Sequence, residues 1–200
     1  MQVNPLSVTG AYEFVPDLFP DRRGFFAAPY QEQAFTRAVG RPLFGVAQSG
    51  HSRSRKGVAR GIHFTSAPPG MATYVHCARG RVQDFAVDLR VGSPTFGRWD
   101  TRVLDSERCN AVYLPTGMGH AFLALEEEST VCYLLSEGYV PENEHAISLF
   151  DDAIGLPVPA DTEVVLSDRD RSAVSLASAL SAGLLPSYAA CLRLEESSAP

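Results

Sequence analysis

Three side chains that together can move a proton beside a carbonyl group occur in separate parts of this chain. His63 lies in the run Arg60-Gly61-Ile62-His63-Phe64, Tyr133 lies in a second apolar run, and Asp170 closes the run Leu166-Ser167-Asp168-Arg169-Asp170. A histidine base, a phenolic acid and an orienting carboxylate are the groups needed for proton transfer at a carbon next to a carbonyl. The sequence therefore predicts an enzyme site built from these three residues.

Each of these residues also has an ordinary structural explanation when it is taken alone. A histidine in a β-rich core can be a satisfied polar group, and a tyrosine can pack in the core with its hydroxyl bonded to a neighbour. Asp170 could cap a helix that begins near Ser172. Gly61 lacks a side chain, which we interpret as room for a ligand beside His63.

The segments that must position these residues are mostly short β-strands. From Gly10 to about Leu166, short apolar or alternating runs are separated by turn residues, a pattern typical of an antiparallel sandwich or barrel. We therefore predict an all-β jelly-roll of the cupin kind with a few short peripheral helices. Helical periodicity is found at 31–38 and, more strongly, at 172–185.

Composition narrows the class of protein. The chain has 200 residues and a formal net charge of −6, which argues against a nucleic-acid surface. No apolar run is long enough to span a membrane, no signal peptide is evident, and four cysteines are scattered without CxxC spacing. We expect a cytoplasmic protein with one domain over 1–200, comprising a jelly-roll core at about 10–170 and a helical tail at about 171–194.

The run Pro115-Thr116-Gly117-Met118-Gly119-His120 matches the PxGxxH pattern of cupin barrels. Many cupins bind a transition metal through an HxH pair together with this later histidine. Here the corresponding position reads His63-Phe64-Thr65, so the pair is absent, although His76 could face His63 across a hairpin. The pattern favours a site without metal or other cofactor that uses histidine as a base.

Taken together, these motifs resemble the dTDP-4-dehydrorhamnose 3,5-epimerase family. The resemblance covers most of the chain, from about Phe19 to Ser172. Several motifs in the right order carry it: 21–26, 57–64, 88–97, 115–122 and 166–170.

The resemblance implies a cupin-like homodimer that acts without metal on a dTDP-4-keto-6-deoxy sugar. In this family the C4 carbonyl acidifies the C3 and C5 protons, removal of a proton gives an enolate, and reprotonation on the other face inverts the carbon. By resemblance His63 is the base, Asp170 orients its imidazole, and Tyr133 is the proton donor.

Substrate-binding roles are implied in the same way. Seven residues match family positions that contact the nucleotide diphosphate, the sugar or, for Tyr139, the thymine ring, and they are Arg23, Gln48, Arg60, His120, Tyr139, Glu144 and Arg169. Strict strand alternation would put Arg60 and His63 on opposite faces, so a bulge, a strand end or a neighbouring subunit must intervene.

Three positions depart from the family pattern. Thr73 stands where a lysine near the substrate is expected, Ala28 replaces a glutamate that contacts the nucleotide, and Gly50 replaces an asparagine. Losing a charged donor at Thr73 would raise the barrier by about 2–4 kcal/mol. We therefore prefer a mono-epimerase acting at C3 in a specialised deoxysugar pathway, of the sort that decorates antibiotics.

Two other functions fit the same residues. A ketoisomerase would share the enolate and deliver a 3-keto product. A non-catalytic sugar-nucleotide-binding cupin would explain the arginines, Tyr139 and Thr73, but not the set of His63, Tyr133 and Asp170. The Phe- and Pro-rich stretch from Tyr12 to Tyr30 could add strands to a partner's sheet in a homodimer.

Overall fold

The computed structural model describes residues 1–158 and 163–197, and these form two antiparallel sheets packed against each other. The larger sheet has the spatial order β1 (Gln2–Pro5), β2 (Tyr12–Val15), β10 (Ala111–Leu114), β7 (Thr73–Arg79), β12 (Ser129–Leu135) and β5 (Gln48–Ser54). The smaller sheet has the order β13 (Glu144–Ala146), β6 (Ala59–Thr65), β11 (Met118–Ala124), β8 (Arg81–Asp88) and β9 (Trp99–Asp105). The all-β jelly-roll prediction is confirmed.

The core between the sheets is built by strand alternation. On β12, Val131 and Tyr133 contact this core, whereas Cys132 and Leu134 point to the other face. On β11, Phe122 contacts the same core and Leu123 packs on the outer side of the smaller sheet. Side chains two residues apart on one strand therefore share a face, and this alternation decides which polar side chains lie between the sheets.

Short helices cover the outer faces of both sheets. Helix α1 (Glu32–Val39) inserts Phe35 into an aromatic cluster on the larger sheet, which confirms the helix predicted at 31–38. The remaining helical elements are a 3₁₀ turn (Pro141–Asn143), α2 (Asp168–Arg171), α3 (Leu176–Ser181) and α4 (Tyr188–Ser197).

The single helix predicted at 172–185 is wrong. Val174 is extended because it bridges Ile147, and the Ser175 side chain then caps α3 by accepting the Ser178 N–H. Asp170 lies inside the separate helix α2, whose N-cap is Ser167, so it does not cap a helix beginning at Ser172.

A hairpin of β3 (Leu18–Asp21) and β4 (Gly24–Ala27) stands apart from both sheets. Its aromatic side chains are uncovered, with Phe19 57% and Phe26 67% exposed. None of the helices in the described residues is long and apolar enough to cross a membrane.

A β-bulge joins β6 to β11 beside His63. His120 pairs with His63 and Phe122 pairs with Arg60, so Gly61 and Ile62 together lie opposite one residue of β11. A Cβ on Gly61 would lie 2.4 Å from the carbonyl oxygen of His120, and the residue has φ +111°. The missing side chain therefore makes room for the neighbouring strand, not for a ligand as its position in the sequence suggested.

This crowding gives a first prediction. Gly61→Ala should lower the free energy of unfolding by about 2–4 kcal/mol, because the new methyl meets backbone atoms and the backbone conformation disfavours a side chain. Gly45→Ala is the matched control, since nothing lies within 4 Å of its added Cβ and its φ is not positive. Equal chemical-denaturation midpoints for the two variants would contradict this account of the bulge.

Candidate active site

A polar cavity of about 170 Å³ lies between the two sheets. The smaller sheet contributes polar side chains from β6, β11 and β13, and the larger sheet contributes them from β7 and β12. The polar residues that line it are Arg60, His63, Thr65, Thr73, His120, Tyr133 and Glu144, and the apolar ones are Phe64, Met71, Leu114, Met118, Phe122 and Leu135.

The bulge in β6 explains how Arg60 and His63 reach the same cavity. They are three residues apart, so a regular strand would direct them to opposite faces. The extra residue at Gly61–Ile62 restores a common face, and Ile62 keeps its backbone hydrogen bonds by pairing with Ile147 at 3.1 and 2.9 Å. The sequence allowed a bulge, a strand end or a neighbouring subunit as the explanation, and the structure shows that it is a bulge.

His63 is held by a buried carboxylate. Its Nε2 lies 2.5 Å from Oδ1 of Asp170, whose side chain is 3% exposed, while the imidazole itself is 34% exposed. Burial alone would raise the pKa of Asp170, but hydrogen bonds with His63, Ser167 and the Gly61 backbone outweigh it and lower the pKa below its usual value. An ionised carboxylate that accepts Nε2–H leaves Nδ1 free to take a proton from a substrate carbon.

Tyr133 enters the cavity from the other sheet. Its hydroxyl lies 3.1 Å from Oγ of Ser52 on the neighbouring strand β5. Burial is the main cause that raises the pKa of the phenol above its usual value of about 10, and the nearby Asp84 adds to the shift. The phenol therefore keeps its proton at neutral pH, as a proton donor must.

The structure adds two residues that the sequence reasoning missed. Asp84 lies 2.5 Å from Nε2 of His120, and Ser52 contacts Tyr133. A signal for Asp84 was present, because in Val82-Gln83-Asp84-Phe85-Ala86 it shares the face of Val82 and Ala86, where an apolar residue is expected. Ser52 carries no such signal, since a serine on an edge strand is ordinary.

Four of the predicted site residues do not line this cavity, and they are Arg23, Gln48, Tyr139 and Arg169. Arg23 sits at the turn of the exposed hairpin and pairs with Asp21 at 2.5 Å. Gln48 accepts the backbone N–H of Tyr139 at 2.8 Å, so these two residues lie together outside the cavity lining. Arg169 is exposed on α2 beside Asp170.

The remaining predicted residues are found at the cavity. Thr73 lines it from the start of β7, and Glu144 lines it while accepting a hydrogen bond from Thr65 at 2.8 Å.

His76 is on β7 but alternates with the core residues Val75 and Cys77, so it does not face His63. No group of three or more metal-ligating side chains was found among residues 1–158 and 163–197, and the cofactor-free site stays a prediction.

Comparison with known proteins decides the family. A sequence model of dTDP-4-dehydrorhamnose 3,5-epimerase matches residues 5–178. The chain belongs to this family. It is therefore an isomerase of the epimerase type, as the motifs predicted.

Relatives of this epimerase include enzymes of both product classes. The dTDP-4-dehydrorhamnose 3-epimerase of Streptomyces niveus is 47% identical over 96% of this chain and 91% of its own length. The dTDP-4-dehydrorhamnose 3,5-epimerase of Mycolicibacterium smegmatis is 46% identical over 96% and 94%. Among solved structures, NovW, a 4-keto-6-deoxy sugar epimerase from the novobiocin gene cluster of Streptomyces spheroides, is 47% identical with a TM-score of 0.91 over 96% and 95%.

The raised pKa of Tyr133 can be measured directly. We expect Tyr133→Phe to leave unchanged the tyrosinate absorbance that develops near pH 10, because in the native protein this phenol ionises only at higher pH. The tyrosinate absorbance of Tyr133 itself should develop in the native protein only above that range or on unfolding, and it should be missing from the variant. If the folded variant instead has a smaller absorbance change near pH 10 than the native protein, Tyr133 is not protected from ionisation.

Proposed function

We propose that this epimerase inverts C3 of a dTDP-4-keto-6-deoxyhexose through an enolate, in deoxysugar biosynthesis for a glycosylated natural product. The observation that carries the proposal is that His63, bonded to Asp170, and Tyr133, bonded to Ser52, enter one cavity from facing sheets. A base and an acid on opposite sides of a sugar ring are what inversion by proton transfer requires.

The reaction follows from these positions. Nδ1 of His63 removes the C3 proton, and the electron pair of the C–H bond moves into an enolate whose oxygen is the former C4 carbonyl. The Tyr133 hydroxyl then delivers its proton to C3 on the other face. His63 ends with one extra proton and Tyr133 with one fewer, and exchange with water restores both before the next turnover.

Substrate binding is proposed for the residues assigned by family resemblance. Arg60, His120 and Glu144 are supported by their places in the cavity lining, and Arg60 is fixed by donating to Ser54 at 3.2 Å. Thr73 contributes a neutral hydroxyl where the family pattern has a lysine. Arg23, Gln48, Tyr139 and Arg169 are proposed to bind the nucleotide from outside this cavity.

Relatives do not decide which carbon is inverted, because a 3-epimerase and a 3,5-epimerase are 47% and 46% identical to this chain. Thr73 favours the narrower reaction, since a site with one less cation stabilises an enolate less strongly. The novobiocin-cluster origin of NovW supports a role in natural-product glycosylation.

The test is exchange of substrate protons for deuterium, followed by NMR with dTDP-4-keto-6-deoxyglucose in deuterated water. The native enzyme should place deuterium at C3 alone. His63→Ala should slow that exchange at least about 100-fold, because it removes the base. Tyr133→Phe should retain exchange and lose inversion, since proton removal is intact. His51→Ala is the matched control, an exposed histidine outside the cavity lining that should leave both unchanged.

Each alternative has its own outcome in this experiment. Deuterium at both C3 and C5 with inversion of both would identify a 3,5-epimerase. A 3-keto product would identify a ketoisomerase. Tight binding of dTDP without any exchange would identify a binding protein.

We also propose that the protein is a homodimer in the cytoplasm and that residues 1–200 make up one epimerase domain. Four unpaired cysteines support a reducing compartment. Leu176 and Ala179 of α3 pack with the outer cluster of the smaller sheet, which supports counting the helical tail with the jelly-roll core. The exposed aromatic hairpin supports the dimer, because such a surface and strand edge ordinarily need a cover.

The dimer can be tested at the hairpin. In sedimentation experiments the native protein should have twice the chain mass, and Phe26→Asp should shift it towards monomer because a charge enters a buried apolar interface. Phe150→Asp is the matched control, since Phe150 is 56% exposed on another part of the surface. A dimer that withstands Phe26→Asp would place the interface away from this hairpin.

A further inference from the structure

Two tyrosines on neighbouring strands of the larger sheet have different kinds of hydrogen-bond partner. The hydroxyl of Tyr74 donates to the carbonyl oxygen of Pro29 at 2.7 Å, and a carbonyl can only accept. The hydroxyl of Tyr133 lies 3.1 Å from Oγ of Ser52, and in the described part of the chain neither hydroxyl has another partner. A serine hydroxyl can donate or accept, so the fold does not bind the Tyr133 proton as it binds that of Tyr74.

Ser52 reaches the phenol from β5, which is the edge strand of the larger sheet. In the register of β5 with β12, Ser52 is opposite Val131 and Gly50 is opposite Tyr133, so Ser52 and Tyr133 are diagonal neighbours. Gly50 offers no side chain to the phenol. The serine itself is half-buried at a sheet edge, where water can satisfy a hydroxyl. Its bond with Tyr133 therefore matters for the phenol more than for the serine.

Transfer of the phenol proton leaves a negative charge in a place where burial disfavours it. Burial and the nearby Asp84 raise the pKa of Tyr133, whereas the hydrogen bond with Ser52 and the charge of Arg60 lower it. Ser54 holds this arginine by accepting a hydrogen bond from its Nε at 3.2 Å. Ser52 and Ser54 are two residues apart on β5 and share a face. One face of β5 thus supports both groups that favour the phenolate.

The direction of the bond between Ser52 and Tyr133 decides where the phenol proton points. If Tyr133 donated, its O–H would point at β5 and away from a substrate in the cavity. If Ser52 donates, the phenol O–H is free to point into the cavity, and the same bond remains when the phenol becomes a phenolate that can only accept. A hydrogen bond to an ionised acceptor is stronger than one between neutral groups, so this bond strengthens as the proton leaves.

We propose that Ser52 is a positioning residue that donates a hydrogen bond to the oxygen of Tyr133, which directs the phenol proton at C3 of the substrate and stabilises the phenolate that its transfer leaves. The phenol O–H bond breaks and its electron pair stays on oxygen, while the electron pair of the enolate forms the new C–H bond. Ser52 keeps its own proton throughout. This inference rests on the proposed epimerase function.

The kinetic test compares inversion with exchange for Ser52→Ala in deuterated water. We expect inversion at C3 to slow about 10- to 100-fold, because a hydrogen bond to a charged group is lost. Deuterium exchange with retained configuration should change less than about threefold, since His63 still removes the proton and returns a deuteron on its own face. A merely structural role would slow both processes together.

Two pairs of variants separate the hydroxyl from the shape of the side chain. Ser52→Thr and Ser52→Val are similar in size and both fit a strand, but only the threonine keeps a hydroxyl. Inversion should stay within about threefold of the native rate for Ser52→Thr and fall as in Ser52→Ala for Ser52→Val. Ser49→Ala is the matched control for Ser52→Ala, because Ser49 is an exposed serine on the other face of β5, and it should leave inversion and exchange unchanged.

A measurement without substrate tests the hydrogen bond itself. A fluorinated tyrosine, whose phenol is more acidic, is placed at position 133 and titrated by fluorine NMR. Adding Ser52→Ala should raise the pKa of this phenol by about one unit, because the donor to the phenolate is lost. Adding Ser49→Ala should leave that pKa unmoved.

The outcomes keep this inference distinct from the epimerase proposal. An unmoved pKa in Ser52→Ala, equal slowing of exchange and inversion, or a Ser52→Thr enzyme as slow as Ser52→Val would overturn the role of Ser52. If the pKa moves but the native enzyme exchanges no substrate proton, the epimerase proposal fails, and with it the transfer of the phenol proton to C3.

Discussion

The close approach of β6 to β11 is the constraint on which the site depends. His120 and His63 are paired across these strands, and the carbonyl oxygen of His120 occupies the space where a side chain on Gly61 would lie. The bulge at this point directs Arg60 and His63 into one cavity, while Ala59 and Ile62 continue to pack on the outer face. Catalytic geometry and core packing are therefore set by the same few residues, so neither can change without the other.

Buried carboxylates then give the cavity its chemical character. Asp170 and Asp84 contact two neighbouring imidazoles, Asp170 from helix α2 and Asp84 from strand β8, which is adjacent to β11. Because both acids are almost fully buried, each controls the orientation of its histidine far more strongly than a solvated carboxylate would. Tyr133 has the opposite environment, since its burial keeps the phenol neutral. One cavity thus holds groups suited to accepting a proton and to donating one at the same pH.

The sequence predicted the features that depend on local pattern. Alternating short runs and turn residues predicted the all-β fold, and the ordered motifs predicted the family, both of which are confirmed. The resemblance implied that Arg60 and His63 serve one site, but the sequence did not show that a bulge brings them together, because a bulge depends on the partner strand and leaves no periodic signal. The helix predicted at 172–185 failed because tertiary pairing of Val174 with Ile147 overrides the periodicity. Asp84 was visible as an acid at a core position, but its partner was not, since His120 lies far away in the chain.

The product formed by such a site depends on charge and reach more than on fold. A 3-epimerase and a 3,5-epimerase share about the same identity with this chain, so the scaffold itself does not select the carbon. In the proposed reaction an enolate forms at whichever carbon His63 can reach, and it persists only if its oxygen meets a sufficient donor. Thr73 lines the cavity with a neutral hydroxyl, which is a weaker donor to such an oxygen than the charged ammonium of a lysine. In the proposed reaction, the stability of the enolate therefore depends on one side chain on β7 that can change without altering a strand of the fold.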